Sequence, residues 1–409
     1  MSSSVTVVGG VNNSTISGTV SVPVSGLSTT ALASLQGTLS ALSAGAAAGT
    51  TGFINSDLIA GANYGSTISG TNNLLVLSNT DSVGGTTSGA ASTVVGVSSI
   101  YSSVVVQAPG ALTVTGSNPA ANYVLGASSN VDLYTGAGTG TSSVLAAGGT
   151  DTINMMGNTA VTVSAGDDTV KTYSGSNTVI ATGSASVYAG TPGGYAGKID
   201  FINGSVSGSM NANGGSATVF GGNGGGTFIG GSAGSNSLVG GNGSVFLVGG
   251  GNNDTLVAGG GGATTSSGSN YLFAGTGNET LMATSVTGTN LLQAASGADV
   301  LSSSGKDTQY FFGSTGAATM TGSTVSGATN IFFFGSTGNT GGNDIITNFG
   351  KTSQLYALDG SNIAAITEVT TNSAPGALVT LSDGTNITLT GVNATSIQGS
   401  VGTSSITFS

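Results

Sequence analysis

A large apolar residue that recurs about every nine positions is the feature that most constrains the fold of this chain. Between residues 217 and 262 these residues stand at steps of nine, ten, nine and nine, and a pair of small residues, mostly glycines, follows each one. The positions are Val219, Phe228, Leu238, Leu247 and Leu256. A short strand with one inward apolar side chain cannot bury itself alone, so such units are stable only when they stack into a continuous ladder. The repeat therefore predicts a β-solenoid.

The same repeat extends over most of the chain. Short strand candidates that begin with Asp, Asn, Ser or Thr follow one another at eight or nine residues between positions 142 and 188, and the ladder resumes after position 217. Two such strands would make one coil of about eighteen residues, and successive coils would stack at roughly 4.8 Å. We predict an all-β chain that forms a parallel β-roll or β-helix solenoid. Steps of nine to eleven residues suit either form, so the choice between them stays open.

The two ends of the chain carry different patterns. Over residues 28–48, leucines spaced three and four apart predict a short helix, which we expect to cap the open edge of the first coil. Over residues 378–392, two alternating segments flank a Ser-Asp-Gly-Thr turn and predict a β-hairpin. We therefore predict a strand-plus-helix cap over residues 1–60, the solenoid over residues 61–350 and a C-terminal β region over residues 351–409.

Composition excludes several classes of function. The net charge is -11, arginine is absent and four lysines are scattered, which argues against nucleic-acid binding. No run of eighteen apolar residues exists, so we expect no membrane span. Histidine and cysteine are absent, which removes Ser-His-Asp and Cys-His catalysis and His-ligated zinc. The neighbours Asp167 and Asp168 should point to opposite faces of a strand, which argues against a glycosidase pair. We predict that the chain is not an enzyme.

One nonapeptide carries a resemblance to a known family. Residues 249–257 read GGGNNDTLV, which resembles the G-G-x-G-x-D-x-U-x repeat of calcium-binding RTX proteins, with Asn252 in place of the third glycine. Degenerate copies occur at residues 147–153, 165–170 and 296–301. The resemblance implies a β-solenoid in which turn aspartates of neighbouring coils bind calcium.

The calcium ligands that this resemblance implies are few. Only one of five equivalent positions in the central stretch is acidic, whereas calcium needs six to eight oxygen ligands. We therefore expect most coils to be free of metal, with calcium as a possible cofactor at a small set of aspartates. The candidate ligands are Asp151, Asp167, Asp168, Asp254 and Asp299.

The C-terminal region resembles the same class. Residues 344–349, DIITNF, are similar to the D-x-I-x-x-F strand that ends RTX arrays, and the final SSITFS is similar to the uncleaved signal of type I secreted proteins. The first twenty residues show neither a basic nor an apolar leader segment. The resemblance implies export by type I secretion and an extracellular or cell-surface location.

A nearly charge-free surface favours a structural role. Charged residues are 5% of the chain, so Ser, Thr, Asn and Gly must cover most of the surface, without the charges that keep a monomer dispersed. Open solenoid ends also invite head-to-tail association. We predict a secreted structural protein that self-assembles outside the cell, as a surface layer or an extracellular matrix fibre. Its partner is then a second copy of itself, with cell-surface or matrix polysaccharide as a further candidate.

Two other functions remain as alternatives. A flat Thr, Ser and Asn face would suit an adhesin or a glycan- or ice-binding solenoid, although Thr152, Thr169 and Thr178 are expected to align only briefly. A polysaccharide-active enzyme is the least favoured. A repeated FFGSTG segment, 22 residues apart at residues 311–316 and 333–338, predicts an aromatic ladder, which we interpret as core filling rather than as a sugar-binding strip.

Overall fold

The computed structural model of the protein describes residues 4–8, 19–23, 53–57, 63–64, 73–78, 93–107, 110–127, 129–189, 197–204, 207–251, 253–259, 268–284, 287–335, 341–371 and 374–409. Within these residues the chain is all-β and forms a parallel β-solenoid of about 12 turns, which confirms the predicted fold class. The chain divides into two compact units, Met1–Val206 and Ser207–Ser409. The helix predicted over residues 28–48 lies outside the described residues.

Seventeen strands lie in the described residues of the first unit. They are β1 (Ser4–Val8), β2 (Thr19–Pro23), β3 (Phe53–Asp57), β4 (Asn63–Tyr64), β5 (Asn73–Ser78), β6 (Thr93–Val97), β7 (Tyr101–Gln107), β8 (Gly110–Gly116), β9 (Asn122–Leu125), β10 (Ser129–Tyr134), β11 (Thr141–Ala146), β12 (Thr152–Met155), β13 (Asn158–Val163), β14 (Asp167–Thr172), β15 (Ser176–Ala181), β16 (Ser184–Ala189) and β17 (Lys198–Asn203). Strands β1 and β2 form an antiparallel pair. From β3 to β17, odd-numbered strands pair in parallel with odd-numbered ones and even with even. We call the two resulting sheets the odd sheet and the even sheet.

The second unit continues this alternation and then changes to antiparallel pairing. Its strands are β18 (Gly208–Asn211), β19 (Ser216–Phe220), β20 (Gly226–Ile229), β21 (Ser237–Val239), β22 (Val245–Val248), β23 (Thr255–Ala258), β24 (Asn270–Phe273), β25 (Thr280–Ala283), β26 (Asn290–Gln293), β27 (Val300–Ser303), β28 (Thr308–Phe312), β29 (Thr319–Thr321), β30 (Thr329–Phe334), β31 (Asn343–Thr347), β32 (Ser353–Ala357), β33 (Ile363–Thr371), β34 (Ala374–Leu381), β35 (Asn386–Thr390), β36 (Ile397–Gln398) and β37 (Ser405–Phe408). One 3-10 turn, Ala394–Ser396, precedes β36.

The apolar positions of the nine-residue repeat form the core of the second unit. Val219, Leu238 and Leu256 lie in the odd sheet, Phe228 and Leu247 lie in the even sheet, and all five side chains are fully buried. Leu238 pairs with Leu256, and Phe228 pairs with Leu247. One step of nine or ten residues therefore carries the chain to the other sheet, and two steps return it to the sheet where it started.

The glycines after these positions leave room for the next inward side chain. A Cβ atom on Gly240 would lie 2.7 Å from Cγ1 of Val245, which is closer than real Cβ contacts. A Cβ atom on Gly249 would lie 2.8 Å from the backbone nitrogen of Gly275 and 2.9 Å from Oδ2 of Asp254. The glycine pairs of the repeat thus reflect close packing of successive turns.

Replacing Gly249 by alanine is expected to lower the free energy of unfolding by about 1–3 kcal/mol, because the new methyl group meets backbone atoms that cannot rotate away. Urea denaturation measures this change. Gly350→Ala is the matched control, since a Cβ atom there meets nothing within 4 Å. Equal effects of the two substitutions would contradict the packing argument.

Both parallel sheets meet further strands at their C-terminal end. The predicted hairpin is confirmed, with β34 antiparallel to β35, and the predicted DIITNF strand corresponds to β31. Strand β35 runs parallel to β31, and β37 runs antiparallel to β32. The edges of β31 and β32 are therefore covered by other strands of the same chain. In the described part of the chain, no helix has the length and hydropathy needed to cross a bilayer.

Candidate functional site

A ladder of polar side chains is buried inside the odd sheet of the second unit. Its members stand two residues before an apolar core position, so the alternation of a strand turns them inward as well. Each is at most 2% exposed. We call this set the acid ladder: Asn236, Asp254, Glu279, Asp299 and Asp344.

The aspartates of the acid ladder bind backbone amides. Oδ1 of Asp254 accepts hydrogen bonds from the backbone nitrogen of Asn236 at 2.7 Å and from its Nδ2 at 2.9 Å, and Oδ2 accepts one from the nitrogen of Gly250 at 2.6 Å. Asp299 accepts hydrogen bonds from the backbone nitrogens of Glu279 at 2.9 Å and Ala295 at 2.7 Å. These carboxylates connect one turn of the solenoid to the preceding one.

Glu279 departs from this arrangement. Its side chain is 1% exposed, and among the described residues neither carboxyl oxygen has a hydrogen-bond partner. Burial, together with the neighbouring side chains of Asp299 and Asp254, raises the pKa of Glu279 to about 8. Glu279 is therefore mostly protonated at neutral pH.

Asp344 ends the acid ladder. Its Oδ1 accepts a hydrogen bond from the backbone nitrogen of Ala318 at 2.9 Å, whereas Oδ2 is buried and has no partner among the described residues. Burial raises the pKa of Asp344 to about 7.

The first unit holds a pair of buried carboxylates in the even sheet. Asp151 accepts hydrogen bonds from the nitrogen of Val131 at 2.8 Å and from Oγ of Ser129 at 2.9 Å. Asp168 accepts one from the nitrogen of Asp151 at 2.8 Å. Burial raises the pKa of Asp151 to about 6 and that of Asp168 to about 7. Asp167 is exposed, which confirms that the adjacent Asp167 and Asp168 point to opposite faces.

The structure distributes the five candidate calcium ligands over the two sheets of the solenoid. The structure brings Asp151 beside Asp168, places Asp254 and Asp299 two turns apart and points Asp167 outward. In the residues that the structure describes, no group of three or more His, Cys, Asp or Glu side chains is arranged to hold a metal ion. Calcium takes six to eight oxygen ligands, whereas one or both carboxyl oxygens of Asp151, Asp168, Asp254 and Asp299 accept hydrogen bonds from backbone N–H groups of the chain. Calcium binding at these aspartates stays a prediction of the resemblance.

Sequence reasoning overlooked Glu279, although a signal for it exists. Residues 278–281, NETL, repeat residues 253–256, NDTL, with glutamate in place of aspartate. A search restricted to aspartate misses this position. The buried ladder of the even sheet was also missed, because it is uncharged. Its members are Asn270, Asn290, Gln309, Asn330 and Ser353.

Amide side chains connect the turns in this second ladder. Nδ2 of Asn270 donates to Oδ1 of Asn290 at 2.8 Å, and Nδ2 of Asn290 donates to Oε1 of Gln309 at 2.7 Å. Nε2 of Gln309 donates to the carbonyl oxygen of Asp307 at 2.7 Å. An amide group both donates and accepts hydrogen bonds, so each side chain can bond to the turns on both sides of it without burying a charge.

The outer face of the even sheet, from β20 to β32, carries two ladders of mostly aromatic and aliphatic side chains. Seven residues are aromatic, four are aliphatic, three are uncharged polar residues and none is charged. Phe246 is 39% exposed and Tyr271 is 42% exposed. We call this surface the aromatic face: Thr227, Phe246, Tyr271, Leu291, Tyr310, Ile331 and Gln354 in one ladder, and Ile229, Val248, Phe273, Gln293, Phe312, Phe333 and Tyr356 in the other.

The two FFGSTG segments are offset by one residue in the structure. Phe311 pairs with Phe332, and Phe312 pairs with Phe333. Phe311 and Phe332 are fully buried, with ring centroids 4.9 Å apart, so core filling is confirmed for them. For Phe312 and Phe333 this interpretation is wrong, because strand alternation places both on the aromatic face.

The outer face of the odd sheet, from β19 to β31, is also uncharged and is rich in hydroxyl groups. We call it the hydroxyl face: Thr218, Ser237, Thr255, Thr280, Val300, Thr319 and Ile345 in one ladder, and Phe220, Val239, Val257, Met282, Ser302, Thr321 and Thr347 in the other. The expected alignment of three threonines in the first unit is partly wrong. Thr152 pairs with Thr169 in the even sheet, whereas Thr178 lies in β15 of the odd sheet.

Comparisons with known proteins identify no relative: no family model matches the chain, and no curated protein matches it in sequence. The parallel β-solenoid is consistent with an RTX-like repeat protein. The acid ladder and the two outer faces are the features of the described residues that bear on function.

Proposed function

We propose that this chain is a secreted structural protein that self-assembles outside the cell, as a surface layer or an extracellular matrix fibre. The observation that carries the proposal is the absence of any charged side chain from the aromatic face and the hydroxyl face. Surface charge is what normally keeps copies of a soluble protein apart. These two faces offer contact surface without that repulsion.

The distribution of acidic residues supports the same conclusion. The formal net charge is -11, but several of the acidic groups lie in the core. Burial raises the pKa of Glu279 to about 8 and that of Asp344 to about 7, so both bind protons near neutral pH. The charge that one copy presents to another is therefore smaller than the formal value.

The C-terminal strands favour side-by-side over end-to-end contacts. Strands β35 and β37 pair with β31 and β32, the last parallel strands of the two sheets, so these edges do not offer free backbone groups to another copy. Export by the type I route is part of the proposal, and it rests on the resemblance of the hydroxylated, apolar C-terminus to type I secretion signals.

Light scattering and electron microscopy of the purified protein test self-assembly. We expect concentration-dependent growth into lattices or fibres at neutral pH, to a similar extent with calcium and with a chelator, because the buried carboxylates already accept hydrogen bonds. A protein that stays monomeric at high concentration in both solutions would contradict the proposal. Assembly that requires calcium would instead support the metal-binding role that the RTX resemblance implies.

The hydroxyl face favours one second candidate, an adhesin or a glycan- or ice-binding solenoid. Thr218, Ser237, Thr255 and Thr280 stand side by side on four successive strands of the odd sheet. A regular row of hydroxyl groups can hydrogen-bond an ordered array of sugar hydroxyls or water molecules. Pull-down on cellulose and an ice-recrystallisation assay distinguish this candidate from self-assembly.

A further inference from the structure

We propose that the aromatic face pairs with the same face of a second copy, sheet against sheet, about a twofold axis. This inference rests on the proposed self-assembly and names the surface that mediates it. Three features of the face carry the argument: the orientation of its rings, the absence of charge and its area.

The rings of this face on β28, β30 and β32 stack on one another, whereas Phe246 is tilted against Tyr271 and Phe273. Phe312 and Phe333 have ring centroids 4.7 Å apart and planes 19° apart, and Phe333 and Tyr356 have centroids 5.6 Å apart and planes 23° apart. The flat sides of these rings therefore contact neighbours on adjacent strands, and their edges are left toward solvent.

Ring orientation distinguishes between two occupants. A sugar ring binds best on the flat side of an aromatic ring, and here neighbouring rings cover much of that side. Ring edges separated by the strand spacing form ridges, and a second sheet with the same ridges can interdigitate with them, as stacked aromatic side chains do between paired sheets. The geometry thus favours a second copy over a glycan chain.

The lack of charge is what a symmetric contact requires. In a twofold interface the same patch of both copies meets, so a charged patch would meet its own charge. The aromatic face contains no such group, and its polar members, Thr227, Gln293 and Gln354, both donate and accept hydrogen bonds. A strongly charged partner, by contrast, would find no complementary charge there.

The area of the face predicts a weak contact. Seven strands at about 4.8 Å, each about 13 Å long, give a footprint of roughly 30 Å by 13 Å, or about 400 Å² per copy. A standard stable interface buries about 800 Å² per partner. A single pairing should therefore be reversible, and assemblies should become stable only when several contacts act together.

Sedimentation velocity on two matched variants tests the inference. Tyr271→Glu places a charge on the aromatic face, and Met282→Glu places the same charge on the hydroxyl face, at positions that are 42% and 37% exposed. We expect Tyr271→Glu to raise the dissociation constant of self-association at least about tenfold, because like charges then meet across the axis. Met282→Glu should change it by less than about twofold. Circular dichroism verifies that both variants fold.

The outcomes separate this inference from the proposed function. If the wild-type protein associates and Met282→Glu weakens association as much as Tyr271→Glu does, the aromatic face is not the contact surface, whereas self-assembly stands. If the wild-type protein never associates, the proposed function fails and the inference fails with it. If Tyr271→Glu associates normally but loses binding to a soluble neutral glucan, the face is a glycan site and the inference is overturned.

Discussion

Replacing Phe332 by alanine is expected to lower the free energy of unfolding by about 3–5 kcal/mol, the usual range for truncating a buried phenylalanine. Phe332 is fully buried in β30. Its ring stacks on Phe311 at a centroid distance of 4.9 Å and contacts Phe349 at 6.0 Å. Strands fixed by hydrogen bonds on both sides cannot close the space that the ring leaves, so a cavity remains. Urea denaturation measures the loss.

Phe333→Ala is the control for this prediction, since it removes the same ring from the next residue. Phe333 points outward, so its truncation should cost about 1 kcal/mol, through the loss of stacking on Phe312 and Tyr356. The effects on self-association should be reversed, with Phe333→Ala weakening it more than Phe332→Ala. Equal losses of stability in the two variants would show that the inward and outward faces of β30 are assigned incorrectly.

The core of the solenoid is predictable from sequence because the apolar repeat specifies it directly. Steps of nine and ten residues between Val219, Phe228, Leu238, Leu247 and Leu256 predict stacked short strands, and all five residues are buried. Which residue of the next strand in the same sheet pairs with each of them is less predictable. Leu238 and Leu256 pair across 18 positions, but Leu256 pairs with Leu281, 25 positions on, because more residues separate β23 from β24 than separate β21 from β22.

This variation in the number of residues between paired strands explains why the threonine row and the aromatic ladder are predicted incorrectly. Thr169 and Thr178 are nine residues apart and therefore lie in different sheets, so they cannot form one row. The FFGSTG segments are 22 residues apart, whereas the strand register pairs residues 21 apart, and one residue of offset exchanges the inner and outer faces. Surface ladders depend on loop lengths that the apolar repeat does not determine.

That the acidic side chains point inward can be predicted from the sequence, but what their carboxyl groups bind cannot. A residue two positions before an inward apolar residue also faces inward, so Asp254 shares the core with Leu256. The RTX resemblance instead treats this aspartate as a turn ligand for calcium. Whether a buried carboxylate binds a metal or backbone amides depends on the neighbouring turn, where Gly250 offers its N–H group to Asp254.

Raising the pH from about 5 to about 9 is expected to destabilise the protein, on the order of 4 kcal/mol from Glu279 alone. The pKa of Glu279 is about 8 in the folded chain, whereas the ordinary value of 4.5 applies to the unfolded chain. Between these two values the folded state binds more protons than the unfolded state, so the free energy of unfolding falls as pH rises. The stability is fully present below pH 4.5 and is lost as pH rises through about 8.

Glu279→Gln separates this residue from the other buried acids. The amide has nearly the same shape but no proton to lose, so the variant should match the wild-type protein at pH 5 and be more stable than it at pH 9. A decline remains in the variant between about pH 4 and 7, because burial also raises the pKa of Asp151 to about 6 and the pKa values of Asp168 and Asp344 to about 7. Urea denaturation in chelator at both pH values measures these differences without interference from cations. A wild-type protein whose stability rises from pH 5 to pH 9 would mean that Glu279 is ionised in the fold and has a partner for its charge. The proposal that protonated buried acids reduce the repulsion between copies would then be contradicted.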